Sequence, residues 1–199
     1  FCFDAFPAVR AIGLEGHPAD CVRLSMRNLL DAPPDLVLSG INAGANVGMN
    51  IHYSGTVGAA AEAAMYNVPA VAFSVATPFD KEFQPDMNVA IEPFTTLLAT
   101  LLDAGIAPGE LINITLPNQQ RHPAPKAPRV CRQSQARVQD TYREEQSDDL
   151  GHRFHIGDKF EFDSPSSDTD VEWLRNGHIT ITPITIDNTD HGELKRFGS

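Results

Sequence analysis

Apolar residues in this chain fall in short unbroken runs, and longer alanine-rich or amphipathic stretches separate them. Leu36-Val37-Leu38 is apolar at consecutive positions, residues 69–75 (Pro-Ala-Val-Ala-Phe-Ser-Val) are apolar but for Ser74, and residues 111–116 (Leu-Ile-Asn-Ile-Thr-Leu) read as the next strand. Such runs suit strands covered on both faces. Residues 7–12 read as a further short strand. A turn at residues 16–20 leads into a predicted helix over 19–30, with Val22, Leu24, Met26, Leu29 and Leu30 apolar and Pro33-Pro34 ending it. Residues 56–66, dominated by Ala and Glu, predict a second helix, with Ala59, Ala60, Ala61, Ala63 and Ala64 letting it pack close to the sheet. A polar loop over 76–86 precedes a third, which runs to Asp103 with Pro93 in its first turn and Gly105 after its end. Strands alternating with helices predict βαβ units and a mostly parallel sheet, an α/β fold.

The texture changes after Pro117. Residues 118–128 form a polar, proline-rich bridge. Residues 130–138 and 153–162 read as extended segments on either side of the charged stretch Tyr-Arg-Glu-Glu-Gln-Ser-Asp-Asp-Leu-Gly, which predicts a projecting hairpin arm. Residues 177–183 alternate again as a returning strand, and the tail after Asp187 is polar. The expected division is therefore an α/β core over 1–117 and, over 118–199, an arm, a returning strand and a tail, all within one domain.

Composition narrows the function classes. The 199 residues carry a formal charge of −11, which argues against a nucleic-acid polymer as partner. A small phosphate ester stays open, because local amides and a metal ion override the global field. Three widely spaced cysteines without a Cys-x-x-Cys fit a reducing cytoplasm better than a disulfide framework. No apolar run is long enough to span a bilayer, so no membrane partner is expected.

The chemistry concentrates in residues 35–69. There a buried strand runs into a loop dense in Gly, Asn and Ser, and Ser54-Gly55-Thr56 then opens the alanine-rich helix. A helix start at the carboxyl end of a strand is where phosphate binds. Asn42 offers a hard amide oxygen suited to magnesium or manganese, although an Asn also serves its own turn. Asn46, in the same loop, could donate to a phosphate oxygen or again serve the turn. Ser54, Gly55 and Thr56 could hold a phosphate or simply cap the helix.

Several stretches together resemble the SurE survival-protein family of metal-dependent 5′/3′-nucleotidases. They are Gly16-His-Pro-Ala-Asp-Cys-Val22, Ser39-Gly-Ile-Asn-Ala-Gly-Ala-Asn46 with Gly48, and Tyr53-Ser-Gly-Thr-Val-Gly-Ala-Ala60 with Glu62-Ala63. Residues 69–74, Asn113-Ile-Thr-Leu-Pro117 and residues 179–183 followed by Asp187 fit in the same order, so the resemblance covers nearly the whole chain. It implies a Rossmann-like three-layer core, a hairpin arm, a swapped C-terminal tail and a homodimer or homotetramer. It also implies a magnesium or manganese ion and hydrolysis of nucleoside monophosphates. Asn42 is the metal ligand it carries over, and Asn46, Ser54, Gly55 and Thr56 are the substrate-binding residues. Asp187 and His191 match an Asp-x-Thr-x-His pattern. In a helix they would share a face, where His191 could protonate the leaving oxygen and Asp187 orient its ring.

The family opens with a strand ending in Asp-Asp-Gly, and this sequence contains no such motif. The expectation is a core without that opening unit and its paired carboxylates. Two rival readings follow: a non-catalytic relative that binds nucleotide or only oligomerises, and a generic dinucleotide-binding module. The second needs a Gly-x-Gly-x-x-Gly spacing that Gly40, Gly44 and Gly48 do not have.

Overall fold

The computed structural model describes residues 9–77, 86–139, 141–148, 151–156, 162–163 and 165–198. Three strands, β1 (Val37–Ala43), β2 (Ala70–Val75) and β3 (Leu111–Leu116), run parallel in that order. Two more, β4 (Lys126–Val130) and β7 (His178–Ile184), extend the sheet beyond β3, with β7 antiparallel to β3 and β4 parallel to β7. The resulting five-stranded, mostly parallel sheet carries helices on its two faces and confirms the α/β expectation. The returning strand expected over 177–183 is β7.

Each face of the sheet follows from strand alternation. Val71, Phe73, Val75, Ile114, Leu116, Ile179 and Ile181 point to one side and pack against α3 (Met87–Ala104) through Ala90, Phe94 and Leu97. The other side presents Ala70, Ala72 and Leu111 to α2 (Gly55–Met65), whose Ala60, Ala63 and Ala64 are buried against it. Side chains this small let helix and sheet approach closely, as expected for the alanine-rich stretch. Ala61, expected in that contact too, is only partly buried. Gly40 carries a φ of +126°, and a Cβ there would collide with the Phe73 carbonyl oxygen of β2. Only glycine lets β1 approach its neighbour at this point.

Five expectations are corrected. Residues 9–12 form no strand: Arg10 makes an isolated bridge, and residues 7 and 8 lie outside the described residues. The first helix, α1 (Pro18–Leu24), gives way to a wider π-type turn over Ser25–Leu29 instead of continuing as α-helix to 30. Pro93 lies inside α3 rather than in its first turn, because Asp86 caps that helix by accepting from the Asn88 N–H at 2.9 Å. Burial of Ala90, Phe94 and Leu97 around it offsets the lost ladder bond. The expected loop over 76–86 falls mostly outside the described residues.

The arm is drawn differently from expectation. Its strands are β5 (Tyr142–Asp148) and β6 (Gly151–Ile156), so the charged stretch read as the loop is itself a strand. A two-stranded ribbon has no buried face, so alternation carries no signal, and cross-strand pairs such as His152–Glu144 at 2.6 Å accommodate the charges. Of the expected extended segment 130–138, only Val130 is in a strand; β4 begins earlier, inside the bridge. Its residues are all exposed and include Pro128, which an edge strand tolerates.

Candidate functional site

The parallel strands end in a row of polar side chains. Asn42 on β1 lies beside Ser74 on β2, Ser74 beside Thr115 on β3, and Thr115 beside Thr180 on β7. Ser74, Thr115 and Thr180 are almost fully buried. After Ala43 the chain leaves the sheet as a loop, passes through a tight turn at Gly48–Tyr53 and continues into α2.

Asn42 donates its Nδ2 to the Gly44 carbonyl at 3.0 Å, which leaves Oδ1 as a hard oxygen at the end of β1. The amide nitrogen therefore serves the turn, as one of the two readings of this residue has it, and the oxygen is not used by that bond. Asn46 is buried, and its Nδ2 donates to Ser74 Oγ at 2.7 Å. One proton of that amide is therefore spent inside the protein. The Asn46 backbone carbonyl accepts from Asn113 Nδ2 at 2.7 Å and from Thr115 Oγ1 at 3.4 Å.

Ser54 caps α2, its Oγ accepting from the Val57 N–H at 3.1 Å. Gly55 and Thr56 open the helix, so their N–H groups precede its first intrahelical bond. Those two donors, with the positive end of the helix dipole, are what a phosphate requires. Ser54 also lines a cavity of about 330 Å³ that runs beside α2, with Ile51, Val57, Ala61, Met65 and Leu111 forming its apolar side.

His191 and Asp187 do meet: His191 Nε2 lies 2.8 Å from Asp187 Oδ2. The segment between them is not helical. A turn brings them together, with the Thr189 N–H donating to Asp187 Oδ1 at 2.9 Å. Hydrogen bonds from Thr189, hydroxyl first and then amide, together with His191, hold the Asp187 carboxyl down to about 2. Both side chains are more than half exposed. The register of β7 decides where the tail that bears them starts. Thr180 pairs with Thr115 near the Asn42 end of the sheet, while Ile184 pairs with Leu111 at the far end. The chain therefore leaves β7 at the end opposite Asn42, about 13 Å of strand away. Asn188 from this tail then lines the same cavity as Ser54.

The donors present do not by themselves make a cation site. Among the described residues no group of three or more His, Cys, Asp or Glu side chains is placed to hold a metal ion. Asn42 supplies one hard oxygen, and a divalent cation needs several.

Sequence reasoning passed over Asn113, Ser74 and Thr115 as functional residues. Their signal was present, as single polar residues at alternate positions of otherwise apolar buried runs. It also passed over Asp170 of α4 (Asp170–Arg175), which is completely buried and holds the loop from the far side. Thr-Asp before Val-Glu-Trp-Leu looks like an ordinary helix start, so no local signal marks it.

The family model for the survival protein SurE matches residues 4–140. A 5′-nucleotidase SurE of Desulfatibacillum aliphaticivorans is 37% identical, over 92% of this chain and 71% of the relative. Another, of Cytophaga hutchinsonii, is 38% identical, over 97% of this chain and 74% of the relative. The crystal structure of the SurE protein from Aquifex aeolicus superposes with a TM-score of 0.73 at 31% identity, covering 92% of this chain and 72% of that one.

Proposed function

The chain belongs to the SurE family, and on that premise we propose that it is a phosphatase that hydrolyses nucleoside monophosphates, at the 5′ and also the 3′ position. Water attacks phosphorus, the ester P–O bond breaks, and nucleoside and inorganic phosphate leave. The observation that carries this reading is the segment from Asn42 to Thr56. It sets a hard oxygen at a strand end and free N–H groups at a helix start on a single loop. The relatives named 5′-nucleotidase match across it.

Gly55, Thr56 and the helix dipole bind the phosphate oxygens, and Ser54 fixes the first turn that presents them. Asn46 contributes whichever amide proton Ser74 does not take. Magnesium or manganese, with Asn42 as one ligand among several oxygens, would polarise the phosphoryl group. His191, steadied by Asp187, is proposed as the donor to the leaving oxygen. The tail that bears this pair starts from the sheet end opposite Asn42, which supports the reading that it serves another copy in a homodimer or homotetramer. No helix among the described residues is long and apolar enough to cross a membrane, and a cytoplasmic location fits the cysteine usage.

The test is turnover of a 5′-nucleotide by this chain with manganese, then with excess EDTA. Turnover that EDTA abolishes and Asn42→Ala removes supports the reading. A folded sample without turnover favours the alternative, a nucleotide-binding or oligomerising relative. The incomplete metal donor set among the described residues is the observation on that side.

A further inference from the structure

The loop between Asn42 and Ser54 is built by residues from distant parts of the chain. Gly44 N–H donates to the Val75 carbonyl at 2.8 Å, and Asn113 holds the Asn46 carbonyl. The peptide units around Gly48 are held from the C-terminal half. Asp170 Oδ2 accepts from the Gly48 N–H at 2.9 Å, Gln133 Nε2 donates to the Gly48 carbonyl at 3.0 Å, and the Met49 N–H donates to the Ala136 carbonyl at 3.3 Å. Gly48 has a φ of +58°, and a Cβ there would lie 2.9 Å from the Ala136 oxygen, so this turn fits against its support with no room to spare.

Asp170 is the charged group in this assembly. It is fully buried, and its other oxygen, Oδ1, accepts from the Ser134 and Val171 N–H groups at 2.8 Å each. Burial raises its proton affinity and the N–H groups lower it, with burial the larger effect. A carboxylate costs free energy in such a place. Val171 and Leu174 of the same helix are buried in the small cluster with Val47 and Ala136, which would hold α4 in place without any charge. What the carboxylate adds is a pair of acceptor oxygens facing opposite ways, one toward Ser134 and one toward the loop.

We propose that Asp170 is a positioning residue for the candidate site: through the Gly48 N–H it fixes the turn that joins Asn42 and Asn46 to the Ser54 helix start. The inference rests on the reading of that loop as the phosphate and metal site. Asp170→Asn is the informative change. Oδ1 keeps its two bonds, but an NH₂ replaces Oδ2 and confronts the Gly48 N–H donor with another donor. Leu174→Ala is the companion change, because it loosens the same helix without touching Gly48. Gln133→Ala loosens the next peptide unit of the same turn, from the Gly48 carbonyl side, at a half-buried position.

The experiment compares these variants in amide hydrogen exchange over residues 46–53, melting temperature and nucleotidase kcat/KM. In Asp170→Asn the expected result is faster exchange at Gly48 and a loss of kcat/KM of roughly tenfold to hundredfold, the scale of an ångström-sized misplacement. Leu174→Ala lowers the melting temperature and leaves kcat/KM near wild type, and Gln133→Ala shifts exchange and kcat/KM in the same sense as Asp170→Asn but less. Native kcat/KM in Asp170→Asn despite faster exchange, or losses in Asp170→Asn and Leu174→Ala in proportion to their melting temperatures, would overturn the proposal alone. If Asp170→Asn does not fold, unchanged kcat/KM in Gln133→Ala overturns it. If the wild-type chain has no turnover, the functional reading fails first and this role fails with it.

Discussion

Arg23 grips Glu62 through two hydrogen bonds, of 2.8 and 2.9 Å, across 39 positions of sequence. The pair ties α1 to the middle of α2, and the Glu62 side chain is only 9% exposed among the alanines of that helix. Glu62, read from sequence only as part of a family match, thus has a structural role, orienting the helix whose first turn is the candidate phosphate site. Its partner's charge is reinforced in turn, since the Glu62 carboxylate raises the Arg23 guanidinium above its ordinary value.

The two ends of this pair are not equivalent. Arg23→Ala leaves a nearly buried carboxylate without its cation, whereas Glu62→Gln keeps an acceptor for the same guanidinium. Arg23→Ala is therefore expected to lower the melting temperature more than Glu62→Gln. Equal effects would show that the Glu62 carboxylate is solvated in solution.

Phe94 packs its ring 4.5 Å from that of Phe73, centre to centre, and both are about 95% buried between α3 and the sheet. Phe94→Ala should cost about 3–5 kcal/mol, the transfer term plus a cavity. Ile114→Val, which removes one methylene from the centre of β3, should cost about 0.5–1.5 kcal/mol. Urea unfolding at constant slope reads both, and a loss below about 1 kcal/mol for Phe94→Ala would mean that α3 collapses onto the sheet.

Ser54→Ala separates capping from ligand binding. Loss of the bond to the Val57 N–H should lower stability by about 1 kcal/mol. If the same helix start binds phosphate, KM for a nucleoside monophosphate should rise as well, at a temperature where the variant remains fully folded. Lower stability with an unchanged KM would confine Ser54 to the cap.

The Asp187 carboxyl should titrate near 2 in a carbon-detected NMR experiment rather than near its ordinary 3.8. Its folded-state value lies below the unfolded one, so its stabilising contribution is complete above about pH 4. That contribution fades as the pH falls from 3.8 through about 2. Thr189 and His191 both contribute to this depression, so Thr189→Val and His191→Ala should each raise the midpoint. An unchanged midpoint in His191→Ala would show that the pair does not form in solution.

Much of this molecule is legible in its residues alone. Apolar runs marked β2 as a buried strand and β3 as the next one, alanine marked α2 as a close-packed helix, and Gly, Asn and Ser between Asn42 and Thr56 marked the loop. Each depends on a few neighbouring residues, and local preference writes such features directly into a sequence. The arm strands and β4 escaped because they are exposed, and an exposed strand has no buried face to impose alternation.

The sequence by itself therefore determined the fold class, the family and the candidate segment for the site. Tertiary structure alone decided how that segment is held and what faces it. Asp170 meets Gly48 across 122 positions, Asn113 meets Asn46 across 67, and β7 runs antiparallel to β3, so the tail with Asp187 and His191 starts from the sheet end opposite Asn42. Contacts at such separations depend on chain topology and strand direction, which no window of sequence contains.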